Sequence, residues 1–480
     1  MFYRPTSSQW LCALNFRHLE YICIPGIHIY KEGDSMKLIR HTVFVELEND
    51  EWILINSLNG MIDKVNSSVY NVLRRWSVVD EIIPEDEFEI EVYKNLENRG
   101  YLVENELTES EKKELVLKKL RDNHNNDKMK YKCAIFVLSY NCNFRCPYCF
   151  ESNSVKNRSI LTKEQIDAAI NISDNQITHV GLFGGEPLLP ENKGAVEYIV
   201  NKLPDKTYFM YTNGYYLRDF FDIISKLKIE HITVTLDGDE DAHDKRRYLE
   251  DGSGTFKKII NGIEYYLENK ININIRMNID DTNIHESTVL RAHLLDKFSK
   301  YAKYLSFEMA NMLGDSYSDR TEIVTKLFKD DIMLSEEERL RRNKMLRGFN
   351  PITAAFTTSA KCLKPMYSFC SAHHESVMVF DPFGDIYSCL VSLGNKDFSI
   401  GSYYPEKVLK KESLHTRNIE TIPSCRECIY SLLCGGGCSM LLNSSNDIYK
   451  PSCAAIKYQI HELIPRFYKD KLNLANKVQA

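Results

Sequence analysis

Apolar and polar positions begin to alternate at Thr42, and the period of that pattern changes along the chain. Thr42–Leu47, Trp52–Leu58 and Met61–Val65 each predict a short strand, with Asn49-Asp50 and Asn59-Gly60 as the turns between them. Helices are expected from about Ser67 to Trp76 and from Glu87 to Asn98, the second stopped by Gly100. Tyr101–Val103 reads as a returning strand. Residues 108–130 are strongly charged and read as a linker helix followed by a polar stretch, Asn123–Lys130. Residues 1–35 carry scattered aromatics with no clear period.

Beyond residue 131 the pattern becomes an alternation of apolar strands with amphipathic helices. The expected strands are Cys133–Leu138, His179–Phe183, Thr207–Tyr211, His231–Leu236, Ile271–Asn278 and Leu305–Met309. Helical segments such as Lys163–Asn171 and Phe256–Glu268 separate several of them, which implies an α/β fold with a parallel sheet. Near residue 355 this rhythm gives way to cysteine and glycine punctuation. Five segments follow: 1–35, a terminal extension or a misassigned start with Met36 as the true one; 36–107, a small β-β-β-α-α domain; 108–130, a linker; 131–354, the α/β domain; and 355–480, the cysteine-rich domain.

Composition changes this picture in one respect. The chain is 43% hydrophobic and 27% charged, with a formal net charge of -6, so neither nucleic-acid binding nor disorder is indicated. No apolar run approaches membrane-spanning length and no export signal is visible, so a cytoplasmic protein is expected. The 14 cysteines stand out. In a reducing compartment they remain thiols, and their close spacings suit metal or cluster ligation better than a disulfide framework.

Cys142, Cys146 and Cys149 form C-x3-C-x2-C directly after the first strand of the α/β segment. Three thiolates on one loop can hold three irons of a [4Fe–4S] cube and leave the fourth iron open. A structural zinc site wants four ligands, and this loop offers three with no nearby His. Gly184-Gly185-Glu186-Pro187 follows the second strand, Thr212-Asn213-Gly214 closes the third, and Val234-Thr235-Leu236-Asp237-Gly238 closes the fourth, with His243-Asp244 and Arg247 beyond it. Ligands of parallel α/β sheets gather at such carboxyl ends of strands.

This set resembles the radical S-adenosylmethionine (SAM) superfamily. The resemblance implies a partial (β/α)6 barrel in which the open iron chelates the amino and carboxylate groups of SAM, and an electron from the cluster cleaves the sulfonium bond to a 5′-deoxyadenosyl radical. It further implies that Gly184, Gly185 and Glu186 contact the methionine amino group, that Thr235 and Arg247 hold the ribose or carboxylate, that Tyr148 lies beside the adenine, and that Leu305 lines the adenine pocket.

The C-terminal segment carries Cys370, then Gly384-x4-Cys389, then Cys425-x2-Cys428-x5-Cys434-x3-Cys438, and Cys453. A zinc ribbon would account for the C-x2-C pair but not for the other elements. The whole pattern resembles the SPASM domain, which holds two auxiliary [4Fe–4S] clusters, so three clusters are expected in all. By that resemblance Cys370, Cys389 and Cys438 ligate the first auxiliary cluster, and Cys425, Cys428, Cys434 and Cys453 the second. The first then lacks a ligand: either Cys362 supplies it or an iron stays open to a substrate thiolate. Cys12, Cys23 and Cys133 read as ordinary thiols.

The pattern over residues 40–105 resembles the winged-helix, PqqD-like leader-recognition domains of peptide-modifying systems. A precursor peptide could join such a sheet edge as an extra strand. The whole arrangement resembles maturases of ribosomally made peptides, especially those forming thioether bridges. It implies a Cys-containing precursor peptide as substrate and a reducing donor such as flavodoxin or ferredoxin. Three rivals remain: an anaerobic sulfatase maturase, a carbon–carbon crosslinking maturase, and a non-catalytic electron carrier. Sulfatase maturases start near the radical SAM motif and place an Asp where this chain has Leu390. A carrier needs no SAM site.

Overall fold

The computed structural model describes residues 36–130, 132–149, 151, 159–173, 176–280, 282–311, 363–441, 447–465 and 468. Cys12, Cys23, Cys362 and the proposed boundary at 355 lie outside the described residues.

The amino-terminal part is built as the alternation predicts. Strands β1 (Lys37–Leu38), β2 (Thr42–Glu46), β3 (Glu51–Asn56) and β4 (Ile62–Asn66) lead into helices α1 (Ser67–Trp76) and α2 (Glu87–Asn98). β2, β3 and β4 form an antiparallel sheet in that order, with β2 and β4 as its edges. Asn49 and Asp50 both adopt positive φ, as a tight hairpin turn requires. Asn66 and Asp86 cap α1 and α2 by accepting backbone N–H bonds from Val69 and Glu89. β5 (Leu102–Val103) returns to β1, a pairing that lies outside the three-stranded sheet.

One expectation needs correction. The polar stretch 123–130 does not interrupt the helix: α3 runs unbroken over Glu106–Lys130. Tertiary packing overrides the weak helix propensity of Asn123-His124-Asn125, because His124 is buried against the rings of Tyr367 and His374.

The α/β segment supplies β6 (Lys132–Val137), α4 (Lys163–Ile172), β7 (Ile177–Phe183), α5 (Lys193–Lys202), β8 (Thr207–Thr212), α6 (Phe221–Ile224), β9 (Lys228–Thr235), α7 (Glu240–Arg246), α8 (Phe256–Glu268), β10 (Ile273–Ile279), α9 (Ile284–Lys297) and β11 (Leu305–Asn311). β6 to β11 lie side by side in chain order, all parallel. The sheet does not end at β6. β12 (Val377–Phe380) from the cysteine-rich segment adds to it in parallel, and β13 (Asp385–Tyr387), β14 (Gly401–Ser402) and β15 (Val408–Leu409) continue it antiparallel to ten strands.

The two faces of this sheet bury different side chains. Ala134, Phe136, Val180, Leu182, Met210, Ile232, Val234, Ile275 and Met277 share the large core with the helices. On the other face Cys133, Ile135, Val137, Tyr140, Phe209, Val377, Val379, Tyr387 and Leu390 form a separate apolar cluster. Strand alternation puts Thr233, Thr235, Asn274, Arg276, Ser306 and Glu308 on that same inner face, where Arg276 reaches Glu308 at 3.3 Å. This face of the sheet is therefore apolar on one side and polar on the other.

The amino-terminal part is tied to the cysteine-rich segment. Its core is continuous with Ile419, Ile422, Cys425 and Leu432 on one side and with Leu363, Leu433, Cys434 and Ile456 on the other. Gly60, at φ +78°, approaches so closely that a Cβ there would lie 1.7 Å from the Leu363 carbonyl oxygen. Among the described residues no helix is long and apolar enough to cross a membrane.

Candidate active site

The cysteine loop leaves the carboxyl end of β6 and is held by backbone contacts on two sides. On one side the Gly184 and Gly185 turn docks beneath it: Gly185 N–H donates to the Ser139 carbonyl (3.0 Å) and Glu186 N–H to the Asn141 carbonyl (2.8 Å). A Cβ on Gly184, itself at φ +145°, would meet the Ser139 oxygen at 2.3 Å, and one on Gly185 the Asn141 oxygen at 2.4 Å. The two glycines are needed for this close approach, whatever else they touch. On the other side Phe144 forms an antiparallel bridge with Leu249, and Arg145 N–H donates to the Tyr248 carbonyl (2.8 Å).

Glu186 is buried (1% exposed) and fixed from three directions. Its carboxylate accepts bonds from Leu188 N–H (2.8 Å), the Thr212 hydroxyl (2.6 Å) and Asn213 N–H (2.6 Å). Burial pushes its pKa up to about 7, with those bonds opposing the shift. Such a group favours a cationic partner that restores its charge. Asn213 also reaches back to the loop, donating to Asn143 (2.8 Å) and to the Cys142 sulfur (3.9 Å), which receives Phe144 N–H at 3.4 Å as well. Replacing Glu186 by Gln keeps the shape and removes the charge. If Glu186 meets the methionine ammonium, as the resemblance implies, SAM affinity should fall about 10- to 100-fold in equilibrium dialysis, the size of a lost charge-assisted hydrogen bond.

Asp237 organises the far side of the site. It is fully buried, accepts Asn278 N–H (3.1 Å) and the Tyr148 hydroxyl, and lies 3.6 Å from Arg246. Arg247 donates to the same hydroxyl at 2.7 Å and sits over the Phe144 ring, while Arg246 covers the Tyr148 ring. The Arg247 Nε is buried without a partner, a donor left for a ligand. His243 supports this arm from below: its Nδ1 accepts Asp237 N–H, its Nε2 faces Thr255 (3.1 Å), and Thr255 donates to the Arg247 carbonyl (2.6 Å). Burial holds His243 neutral.

Tyr148, Glu186 and Arg247 are thus brought around the cysteine loop, and half-buried Thr235 ends β9 two residues before Asp237, in register with Arg276. Leu305 is different. It begins β11, paired with the first residue of β10, and belongs to the helix-side core at the opposite end of the sheet. Sequence reasoning named the Thr212-Asn213-Gly214 and Asp237 motifs but gave them no task; their position at strand ends was the available signal.

In the cysteine-rich segment Cys425 and Cys434 are buried, Cys428 is half-buried and Cys453 exposed. These four lie within electrostatic reach of one another. Between Cys434 and Cys438, Gly435, Gly436 and Gly437 all take positive φ. Arg417, fully buried, donates to the carbonyls of Gly436 and Gly437 (both 2.8 Å), Ile448 (2.7 Å) and Lys450 (3.1 Å). No carboxylate among the described residues pairs with it; the groups in its field are the sulfurs of Cys370, Cys425, Cys434 and Cys438. A buried cation needs compensating charge, and thiolates holding metal would supply it. Among the described residues no three side chains converge on a single metal ion. The residues fit iron–sulfur clusters.

Comparison with known proteins agrees with this geometry. Residues 136–291 match the radical SAM superfamily model, so the chain carries a radical SAM domain. A protein of Methanocaldococcus jannaschii described as a glycyl-radical enzyme activating enzyme is 30% identical over 178 residues, 36% of this chain; the match spans 62% of that relative. The radical SAM cyclopropyl synthase TigE of Paramaledivibacter caminithermalis is 23% identical over 480 residues, covering 90% of this chain and 96% of its own. Two solved structures share the fold. The sulfatase maturase anSMEcpe with bound AdoMet has a TM-score of 0.53 at 19% identity and covers 71% of this chain and all of its own. Streptococcus suis SuiB bound to precursor peptide SuiA has a TM-score of 0.51 at 16% identity, covering 88% and 99%.

Proposed function

We propose that the chain is a radical SAM maturase of a ribosomally made precursor peptide, with one [4Fe–4S] cluster on Cys142, Cys146 and Cys149 and two more in the cysteine-rich segment. The observation that carries this reading is the closed constellation around the cysteine loop: buried Glu186 on one side, and the Tyr148–Asp237–Arg247 network on the other. Glu186 takes the methionine ammonium, the unpartnered Arg247 Nε faces the carboxylate or ribose, and Thr235 adds a hydroxyl at the strand end. The two glycines keep the loop pressed against this cradle. Bound there, the cluster and SAM supply a carbon-centred radical that removes hydrogen from the substrate.

We assign the substrate to a peptide and the bond formed to a thioether. The reasons are the extended likeness to SuiB, whose structure holds a precursor peptide, and the small domain over residues 36–107, whose three-stranded sheet has β2 and β4 as its edges among the described residues. The acceptor C–H would lose hydrogen and the substrate Cys thiol its proton as carbon and sulfur bond; an auxiliary cluster, which cysteines of the carboxyl-terminal segment would hold, would supply the acceptor for the one remaining electron. Carbon–carbon ring closure is the second reading, favoured by the likeness to the cyclopropyl synthase along nearly the whole chain. A sulfatase maturase is disfavoured, because Leu390 follows Cys389 and over a hundred residues precede Cys142.

Co-expression with a Cys-containing candidate precursor peptide tests this. A thioether lowers the peptide mass by about 2 units per bridge and blocks alkylation of the bridged cysteine, because the thiolate is the reacting form. Loss of the same mass with every cysteine still alkylated points to the carbon–carbon reading. An unchanged peptide contradicts both. Deleting residues 1–110 is a poor test of peptide binding, since it would expose the core shared with Ile419, Ile422 and Leu432.

A further inference from the structure

We infer that His373 is the fourth ligand of the auxiliary cluster held by Cys370, Cys389 and Cys438. The inference rests on the three-cluster reading above and completes the ligand set that the cysteines leave short.

His373 is 1% exposed, and neither ring nitrogen has a hydrogen-bond partner. Two unpaired polar atoms on one fully buried ring are costly, and native proteins rarely leave such atoms without a purpose. The neighbouring histidines are occupied. His374 faces the Ser368 hydroxyl at 3.3 Å and packs tilted against the His124 ring with centroids 4.1 Å apart, and His415 faces the Val377 carbonyl at 3.2 Å.

Position supports the same conclusion. Cys370 caps a single tight turn, Ser371–His373, and the His373 N–H donates to the Cys370 carbonyl at 3.1 Å. The turn keeps His373 close to Cys370 along the chain, and buried Arg417 lies near His373 as well as near Cys370 and Cys438. Imidazole is an established iron–sulfur ligand, and it raises the reduction potential relative to thiolate. A neutral fourth ligand also keeps this cluster less negative than its neighbour.

The test uses the full chain carrying Cys142→Ala, Cys146→Ala and Cys149→Ala, which silences the first cluster and leaves the auxiliary pair. After anaerobic reconstitution and reduction, pulsed EPR on protein grown with 14N- or 15N-histidine reads out the ligand. The expected result is about eight irons per chain and a strongly coupled nitrogen that changes with the isotope. His373→Cys should keep the iron, lose the coupling and lower that cluster's potential. His373→Ala should lose an iron from the cluster, and Cys362→Ala should change nothing. Full iron with no coupled nitrogen, or a coupling that survives His373→Cys, overturns the ligand assignment while the three-cluster reading stands. About four irons in the parent overturns both.

Discussion

Replacing Cys142, Cys146 and Cys149 together with Ala should abolish SAM cleavage outright while iron falls from about 12 to about 8 per chain. The site explains why the loss is complete. All three sulfurs come from one loop that the Gly184-Gly185 turn and the Phe144–Leu249 bridge hold in place. Burial pushes the Cys142 thiol up to about 12 and raises Cys146 as well. In the metal-free protein both are protonated at neutral pH, so loading must release those protons. Reconstitution should therefore be faster at pH 8.5 than at pH 7. Iron analysis and 5′-deoxyadenosine formation check the two halves of this expectation.

Arg417→Ala should cost the auxiliary clusters. The guanidinium satisfies four carbonyls, the two of Gly436 and Gly437 buried and those of Ile448 and Lys450 partly so, which shape the Cys434–Cys438 turn and its neighbour at 448–450. Leaving them unpaired costs about 1–3 kcal/mol each in isolation. Even with strong non-additivity, the loss is large against the stability of one cysteine-rich unit. The variant should retain about four irons and the absorbance of one cluster. Arg417→Lys preserves the charge but lacks the fork, and should retain an intermediate amount. Full iron in Arg417→Ala would show that the cation is dispensable.

Much of the fold was readable because its signals are local and repeated. The strands β6 to β11 and the helices α1, α2, α4 and α8 fall within a few residues of their expected bounds, since alternation, caps and glycine stops act over short windows. The addition of β12 to β6 was not readable: the partners are more than 200 residues apart, and four apolar residues carry no address. The same limit applied to α3, where burial of His124 decides what propensity alone would not.

The candidate site divides in the same way. Cysteine spacing and the Gly-Gly-Glu-Pro turn were visible because the chemistry demands fixed intervals. Asp237 was visible only as part of a strand-end motif without a task, and Arg417 was not singled out, because a lone buried charge has no period and its task appears only when its partners are in place. His373 looked like one of several histidines until both of its buried nitrogens proved to lack a hydrogen-bond partner. The glycines at 184 and 185 were read as ligand contacts, yet their first duty is steric: they let one loop pass under another.

The central claim is tested most directly by incubating the anaerobically reconstituted full chain with SAM and a low-potential reductant, and measuring 5′-deoxyadenosine and methionine. The account predicts both products in equal amounts, formation that requires reductant, and none from the variant lacking Cys142, Cys146 and Cys149. Protein that carries its full iron and releases neither product would contradict it.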